Sequence, residues 1–225
     1  MATLVVGDLH GQIHFAEKAL ASGHFVVFLG DYLDSFTREV RDQVDTVECV
    51  LEAYESGRAV ALVGNHELSY LSPFYRCSGY NSVTQYLLEN NNLLERIASL
   101  PSFCTMEGFT MSHAGVSAHY DFDEYIEEGV YEQIGYARGG YNSVGGLYWC
   151  DWRYEFKPQE NHPQIVGHTR GNHIRKRCNS YCIDVLENNN PRCLLIDGGE
   201  VSVWNLDQNT VDNEYEIVYD PLKGK

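Results

Sequence analysis

Asp8, His10, Asp31, Asp34, Asn65, His66, His113 and His168 are the side chains of this sequence whose types and spacing can do chemistry. They fall in five phrases: Gly7-Asp8-Leu9-His10-Gly11, Gly30-Asp31-Tyr32-Leu33-Asp34, Gly64-Asn65-His66-Glu67, Ser112-His113-Ala114-Gly115 and Gly167-His168-Thr169. Carboxylate, amide and imidazole make a mixed oxygen and nitrogen donor set, suited to Mn, Fe or Zn rather than Ca or Mg. Asp8 and His10 lie two apart, so at the end of an extended strand both face one side. Asp31, one strand over, can bridge two ions about 3.5–4 Å apart, and Asn65, His113 and His168 complete the second ion. Such a pair lowers the pKa of a shared water to near neutrality and clamps two substrate oxygens, permitting in-line attack on phosphorus. The leaving oxygen still needs a proton. His66 is the candidate donor, and Asp34 can hold its imidazole as imidazolium. The remaining phosphate charge wants an arginine, whose planar fork matches two oxygens.

Three of the phrases follow apolar runs that read as buried strands: Thr3 to Val6, Phe25 to Leu29 and Ala59 to Val63. Between them lie helices. Ile13 to Ser22 carries Ala and Leu at helical spacing and ends at Gly23. Val40, Val44, Val47, Leu51 and Tyr54 predict a second helix over Arg38 to Ser56, with Thr37 as N-cap and Gly57 as terminator. Strand, motif and helix in alternation predict parallel βαβ units, whose loops beyond the carboxyl ends gather in one crevice. Further on, Ser82 to Glu89 and Leu93 to Leu100 read as short helices. Ser102 to Met106 and Phe109 to Ser112 form a hairpin that delivers His113. From Val116 to Lys157 aromatic residues accumulate in a helical and loop excursion over the site mouth, with Asp123 to Tyr131 its best helix. Gln164 to Val166, Ser180 to Val185, Cys193 to Ile196, Val201 to Asn205 and Glu214 to Val218 return to strand. Alternation in the later ones suggests antiparallel neighbours. The expectation is one α/β (α+β) domain over residues 1–225, two facing sheets flanked by helices.

The 225 residues suffice for one substantial core. A net charge of −16 argues against an extended nucleic-acid surface, which is basic. Bound cations still allow a phosphorylated substrate. No stretch reaches the roughly 18 apolar residues of a membrane span. Neither a secretory leader nor a disulfide framework is evident in a chain with seven cysteines, so the expected location is cytoplasmic.

Together the five phrases resemble the calcineurin-like metallophosphoesterases, and more narrowly the small bacterial and bacteriophage members of the phosphoprotein phosphatase (PPP) family. That family's pattern is GDxHG, GDxVDRG, GNHE, HAG or HGG, and a late GH. The resemblance implies a metallophosphoesterase β-sandwich of two mixed sheets flanked by helices and a dinuclear centre, usually manganese. It assigns Asp8, His10 and Asp31 to one ion, Asp31, Asn65, His113 and His168 to the other, and the proton-donating pair to Asp34 with His66. The implied activity is hydrolysis of phosphomonoesters, on phosphoproteins or small phosphorylated molecules, by a metal-bridging hydroxide. Nucleotide or dinucleoside polyphosphate hydrolysis is the alternative within enzymes, and a catalytically weak metal-binding interaction module the alternative outside them. One position departs: the family's arginine after the second Asp is Ser35 here. Arg38 lies a helical turn beyond it. For the second phosphate-binding arginine the candidate is Arg153, with Arg138 and Arg170 as rivals.

Overall fold

Alternation of apolar residues decides what each central strand touches. In β1 (Thr3–Val6), Leu4 and Val6 enter a core under the helices, while Val5 faces the opposite sheet. In β2 (Phe25–Phe28), Val26 and Phe28 take the helix side and Val27 the sheet side, as a period of two requires. Burying each such side chain on both faces contributes about 1.5–3 kcal/mol. The strands are thereby a firm support for the loops at their ends. The computed structural model describes residues 2–188 and 190–221.

The remaining elements follow in chain order. Helix α1 (Ile13–Ala21) lies between β1 and β2, and α2 (Val40–Glu55) leads to β3 (Ala59–Ala61). Next come α3 (Asn65–Leu71), α4 (Ser82–Asn90) and α5 (Leu93–Ala98), then the hairpin β4 (Phe103–Met106) and β5 (Phe109–Ser112). After α6 (Phe122–Glu128) the chain forms β6 (Gln164–Val166), β7 (Arg175–Arg177), β8 (Ser180–Cys182), β9 (Arg192–Asp197), β10 (Glu200–Asn205), β11 (Thr210–Val211) and β12 (Val218–Tyr219). They make two mixed sheets, ordered β11-β10-β9-β1-β2-β3 and β12-β7-β8-β6-β5-β4. Between the sheets lie Val5, Val27, Leu29, Met111, Ile165, Ile183, Leu194 and Ile196. Helices α1 to α5 cover the first sheet. The second is covered by the 116–157 segment, where Trp152 and Phe156 stack and pack on Val166 and Cys182.

Strand direction places the site. β1, β2 and β3 run parallel, with Val6 opposite Phe28 and Phe28 opposite Ala61. β5, β6 and β8 also run parallel, with Ser112 opposite Val166 and Val166 opposite Cys182. Each sheet therefore presents three aligned carboxyl ends.

Several sequence expectations shift. Helix α2 starts at Val40, not Arg38, and Thr37 is not its cap, because Ser35 Oγ accepts from the Thr37 and Arg38 N–H groups (3.3 and 3.2 Å) and folds Ser35 to Glu39 into a turn. Helix α6 stops before Gly129, which adopts the left-handed conformation (φ 68°), so it never reaches Tyr131. The strand expected over Glu214 to Val218 is only Val218–Tyr219, paired parallel to β7. The short strands β7 and β11 were not foreseen; the Arg175-Lys176-Arg177 of β7 has no apolar alternation to announce it. The hairpin turn Glu107-Gly108 has both residues at positive φ, as a two-residue turn requires.

Candidate active site

Six chemically competent side chains stand just beyond those six strand ends. Asp8, Asp31 and Asn65 follow β1, β2 and β3; His113, His168 and Asp184 follow β5, β6 and β8. All but His168 are buried. Asp31 is at their centre: its Oδ2 lies 3.8 Å from His10 Nε2, 3.8 Å from His66 Nε2 and 3.3 Å from His113 Nε2. Two groups of donors converge within 4.8 Å, His10–Asp31–His66 and Asp31–His113–His168, and they share Asp31. Asn65 Oδ1 joins the second, 2.8 Å from His113 Nε2 and 2.8 Å from His168 Nδ1.

The backbone is bent hard to achieve this. Asp8 and His10 were expected on an extended segment, but His10 has φ 41°, because both the Leu9 and His10 N–H groups turn to donate to the Asp31 carbonyl (3.0 and 2.9 Å). Asp31, Asp34 and His168 also have positive φ (53°, 63° and 63°), a conformation that non-glycine residues adopt rarely and that concentrates at functional sites. Glu67 makes the Asp31 bend possible. Its buried carboxylate accepts from the N–H groups of Asp31 (2.8 Å), Tyr32 (2.8 Å) and Gly64 (2.9 Å). Gly30 permits the close approach of the two loops, since a Cβ there would sit 2.6 Å from the Gly64 nitrogen.

The donor set fits divalent cations. His10 Nδ1 and His113 Nδ1 lie 2.6 and 3.0 Å from the carbonyls of Leu33 and Leu29, which fixes the proton there and leaves each Nε2 lone pair facing Asp31. Burial and the His66 charge push His10 down to about 4, and burial with Arg138 lowers His168, so both imidazoles are neutral donors. Burial, then Asp184 and Asp31, hold the Asp8 carboxyl well above the usual range. Burial acts to raise Asp31 too, but His113 and His66 keep it well below. Buried carboxylates gathered beside the neutral His10 and His168 donors are the mixed oxygen and nitrogen set that a divalent cation takes.

The proposed proton-donating pair is also assembled. His66 Nδ1 lies 2.8 Å from Asp34 Oδ2, and the Tyr70 hydroxyl donates to Asp34 Oδ1. Burial works against a charged His66, but Asp31 and Asp34 prevail and hold it well above the usual range. His66 lines a cleft of about 760 Å³ together with His10, Asp31, Asp34, Asn65 and His168, within the range of small-molecule sites, whereas Asp8 and His113 lie behind its wall.

Some expected residues sit differently. Asp8 is in neither convergent group: its carboxylate accepts from the His168 N–H (3.1 and 3.0 Å). Arg153 does line the cleft and donates to the Arg170 carbonyl. Its rival Arg138 is tied to Asp151 (3.0 Å), the His168 carbonyl (3.3 Å) and Thr169 (3.2 Å), and Arg170 is paired with Glu187. Arg38 reaches Gln12 (3.5 Å) beside a smaller neighbouring cavity rather than the main cleft. Ser35 borders that same small cavity, and the main-cleft wall after Asp34 is formed by the exposed ring of Phe36. Of the aromatic residues in the 116–157 segment, Trp149 lines the cleft, while Tyr125, Tyr148 and Trp152 are buried as packing.

Three cleft residues escaped the sequence reading. Asp184 is buried, its Oδ1 has no hydrogen-bond partner among the described residues, and burial pushes it up to about 6. Its signal was available: like Asp8 and His168 it stands two residues past a strand end, but that end was placed at Val185. Arg76 and Cys77 come from the loop after α3, where no periodic pattern marks them.

The calcineurin-like phosphoesterase pattern matches residues 1–204. The chain belongs to the calcineurin-like phosphoesterase family. No curated protein sequence matches it. Solved structures share the metallophosphoesterase fold at low identity. A cold-active protein tyrosine phosphatase aligns with a TM-score of 0.65 at 14% identity, over 94% of this chain and 78% of its own. A protein serine/threonine phosphatase from Saccharomyces cerevisiae, similar to human phosphatase PP5, gives 0.54 at 15%, over 81% of this chain and 66% of its own. A metallophosphoesterase from Sphaerobacter thermophilus gives 0.53 at 16%, over 90% and 87%. Two mixed sheets flanked by helices and two candidate ligand clusters sharing one carboxylate are thus the fold and site architecture of this metallophosphoesterase. Among the described residues no helix is long and apolar enough to cross a membrane.

Proposed function

We propose that this metallophosphoesterase is a phosphomonoesterase of the bacterial and bacteriophage PPP type, using two manganese ions on a phosphorylated protein or small molecule in the cytoplasm. The observation that carries the reading is the His66–Asp34 pair, 2.8 Å apart, set against the shared carboxylate Asp31 on the cleft wall. Asp8, His10 and Asp31 would hold one ion, and Asp31, Asn65, His113 and His168 the other. Bound there, the ions supply Lewis acidity to the phosphoryl oxygens and acidify the attacking water.

The chain's own residues do the rest. Asp34 keeps the proton on His66 Nδ1 and stabilises the imidazolium, so that the proton on Nε2 is delivered to the leaving oxygen. Tyr70 occupies the other Asp34 oxygen and fixes the carboxylate's orientation. Arg153 has donors to spare beyond its single carbonyl contact and serves as the phosphate clamp. Leaving-group protonation is worth about 10²–10⁴ in rate.

Purified protein loaded with manganese is expected to turn over p-nitrophenyl phosphate. A panel of phosphopeptides, diadenosine tetraphosphate and cyclic nucleotides then separates phosphomonoesterase from nucleotide hydrolase. Two bound metals with no turnover in any divalent cation would replace this reading with that of a weak binding module.

A further inference from the structure

A third group of donors in the cleft contains none of the ligands assigned to the two manganese ions, though it shares His66, through Nδ1 rather than Nε2, with the His10–Asp31–His66 group. Cys77 Sγ lies 3.4 Å from His66 Nδ1, on the edge of the imidazole that Asp34 Oδ2 approaches to 2.8 Å. The three ligand atoms all fall within 4.8 Å of one another. Oxygen, nitrogen and sulfur at such separations can share one tetrahedral ion, given metal bonds of about 2.0 Å to nitrogen and oxygen and about 2.3 Å to sulfur.

The surroundings hold these atoms in place. Tyr70 occupies Asp34 Oδ1 and leaves Oδ2 for the cluster. The loop that carries Cys77 is pressed onto Asp34: Gly79 has φ 96°, and a Cβ there would come 2.8 Å from Asp34 Cβ. Asn81, at the end of that loop, donates its N–H to the Tyr70 hydroxyl (3.1 Å). Cys77, His66 and Asp34 all line the main cleft, so an ion has a path in. Thiolate favours zinc over manganese, whereas none of the donors proposed for the dinuclear centre is sulfur.

We propose that Asp34, His66 and Cys77 form a third metal site, selective for a soft divalent cation such as zinc, that switches off the proton donor. An ion bound at His66 Nδ1 displaces to solvent the proton that Asp34 otherwise holds there. The thiol proton of Cys77 leaves to solvent as the metal–sulfur bond forms. The ligated imidazole retains hydrogen only on Nε2, and giving that up would create an imidazolate rather than a neutral ring. Protonation of the leaving group therefore stops. The inhibitory consequence rests on the phosphatase reading; the site does not.

The test uses manganese-loaded full-length protein with Cys77→Ser and Cys77→Ala. Cobalt(II) added beyond the two manganese equivalents is expected to give a thiolate-to-cobalt charge-transfer band in the native protein and none in either variant. Absence of the band in the native protein, or its persistence in both variants, overturns the site. Turnover of each variant with manganese alone is measured first and serves as the reference for its own zinc titration, because Cys77 touches His66. Saturating zinc should suppress native turnover of an alkyl phosphate about 10²-fold, the worth of a general acid. The variants should need at least about 10-fold more zinc, since losing one ligand costs no less than losing an outer-shell partner. Equal zinc sensitivity in native protein and variants would show that zinc acts elsewhere and overturn the switch. If no form turns over phosphate, the cobalt spectrum still decides the site, which separates this failure from failure of the phosphatase reading.

Discussion

Replacing His66 by Asn separates the two roles that its position allows. The ring lies in a convergent donor group with His10 and Asp31, and it also pairs with Asp34 at 2.8 Å. The substitution leaves the backbone contact of residue 66 to Asp31 Oδ1 (2.9 Å) in place, so the first turn of α3 and the bent second loop are kept. An asparagine amide can still donate to Asp34, but it carries no proton that can be transferred at neutral pH. A proton donor is worth about 10²–10⁴ in rate, which is about 2.7–5.5 kcal/mol of activation free energy. The expected loss falls mainly on kcat, because protonation of the leaving oxygen is made only in the transition state. It is expected to be larger for an alkyl phosphate than for p-nitrophenyl phosphate, whose leaving group departs without help. The assay is steady-state turnover on both esters, with bound manganese measured on the same samples. An unchanged rate on the alkyl ester would remove His66 as the donor. Loss of one manganese per chain would make it a ligand instead.

Four further outcomes follow from the same geometry. Glu67→Gln replaces a carboxylate that accepts three backbone N–H groups, and is expected to cost about 2–4 kcal/mol in urea unfolding together with manganese affinity; wild-type stability would show that the second and third loops do not depend on it. Arg153→Ala is expected to raise KM for a phosphomonoester about 10-fold with kcat little changed, whereas Arg138→Ala, which leaves Oδ2 of the buried Asp151 without its cation, should lower the melting temperature as well. Ser35→Arg removes the acceptor for the Thr37 and Arg38 N–H groups and offers a guanidinium near the cleft; about 10-fold tighter phosphate inhibition would show a restored clamp, and unchanged inhibition with lowered stability a purely structural serine. In metal-free protein His10 is neutral until about pH 4 and the unfolded chain takes up its proton near 6.5, so its contribution to stability is present above 6.5 and lost as pH falls through 4. The stability difference between native protein and His10→Asn, read by urea titration, should therefore move in favour of the variant across that window.

The uneven legibility of this site has a physical cause. Ligands that end apolar strands were visible because β1, β2 and β3 are buried on both faces and announce their own ends. Asp31 could be placed between two ions from its order along the chain, and the structure does put it in both donor groups. Conformation was not visible: nothing in the residue types of His10, Asp31, Asp34 or His168 says that each adopts a positive φ. Those bends depend on partners far along the chain, such as the Glu67 carboxylate reaching back 36 residues to the Asp31 N–H. Glu67 was legible as the last residue of the third phrase, but neither as the third residue of α3 nor as the anchor of another loop. Cys77 was hidden for the opposite reason, since a half-buried cysteine in an irregular loop has no period to betray it. Asp184 lies between these cases. Asp184 stands two residues beyond a parallel strand, as Asp8 and His168 do, once β8 is ended at Cys182 rather than Val185. An error of a few residues in a strand end was enough to turn a cleft carboxylate into an apparent core residue.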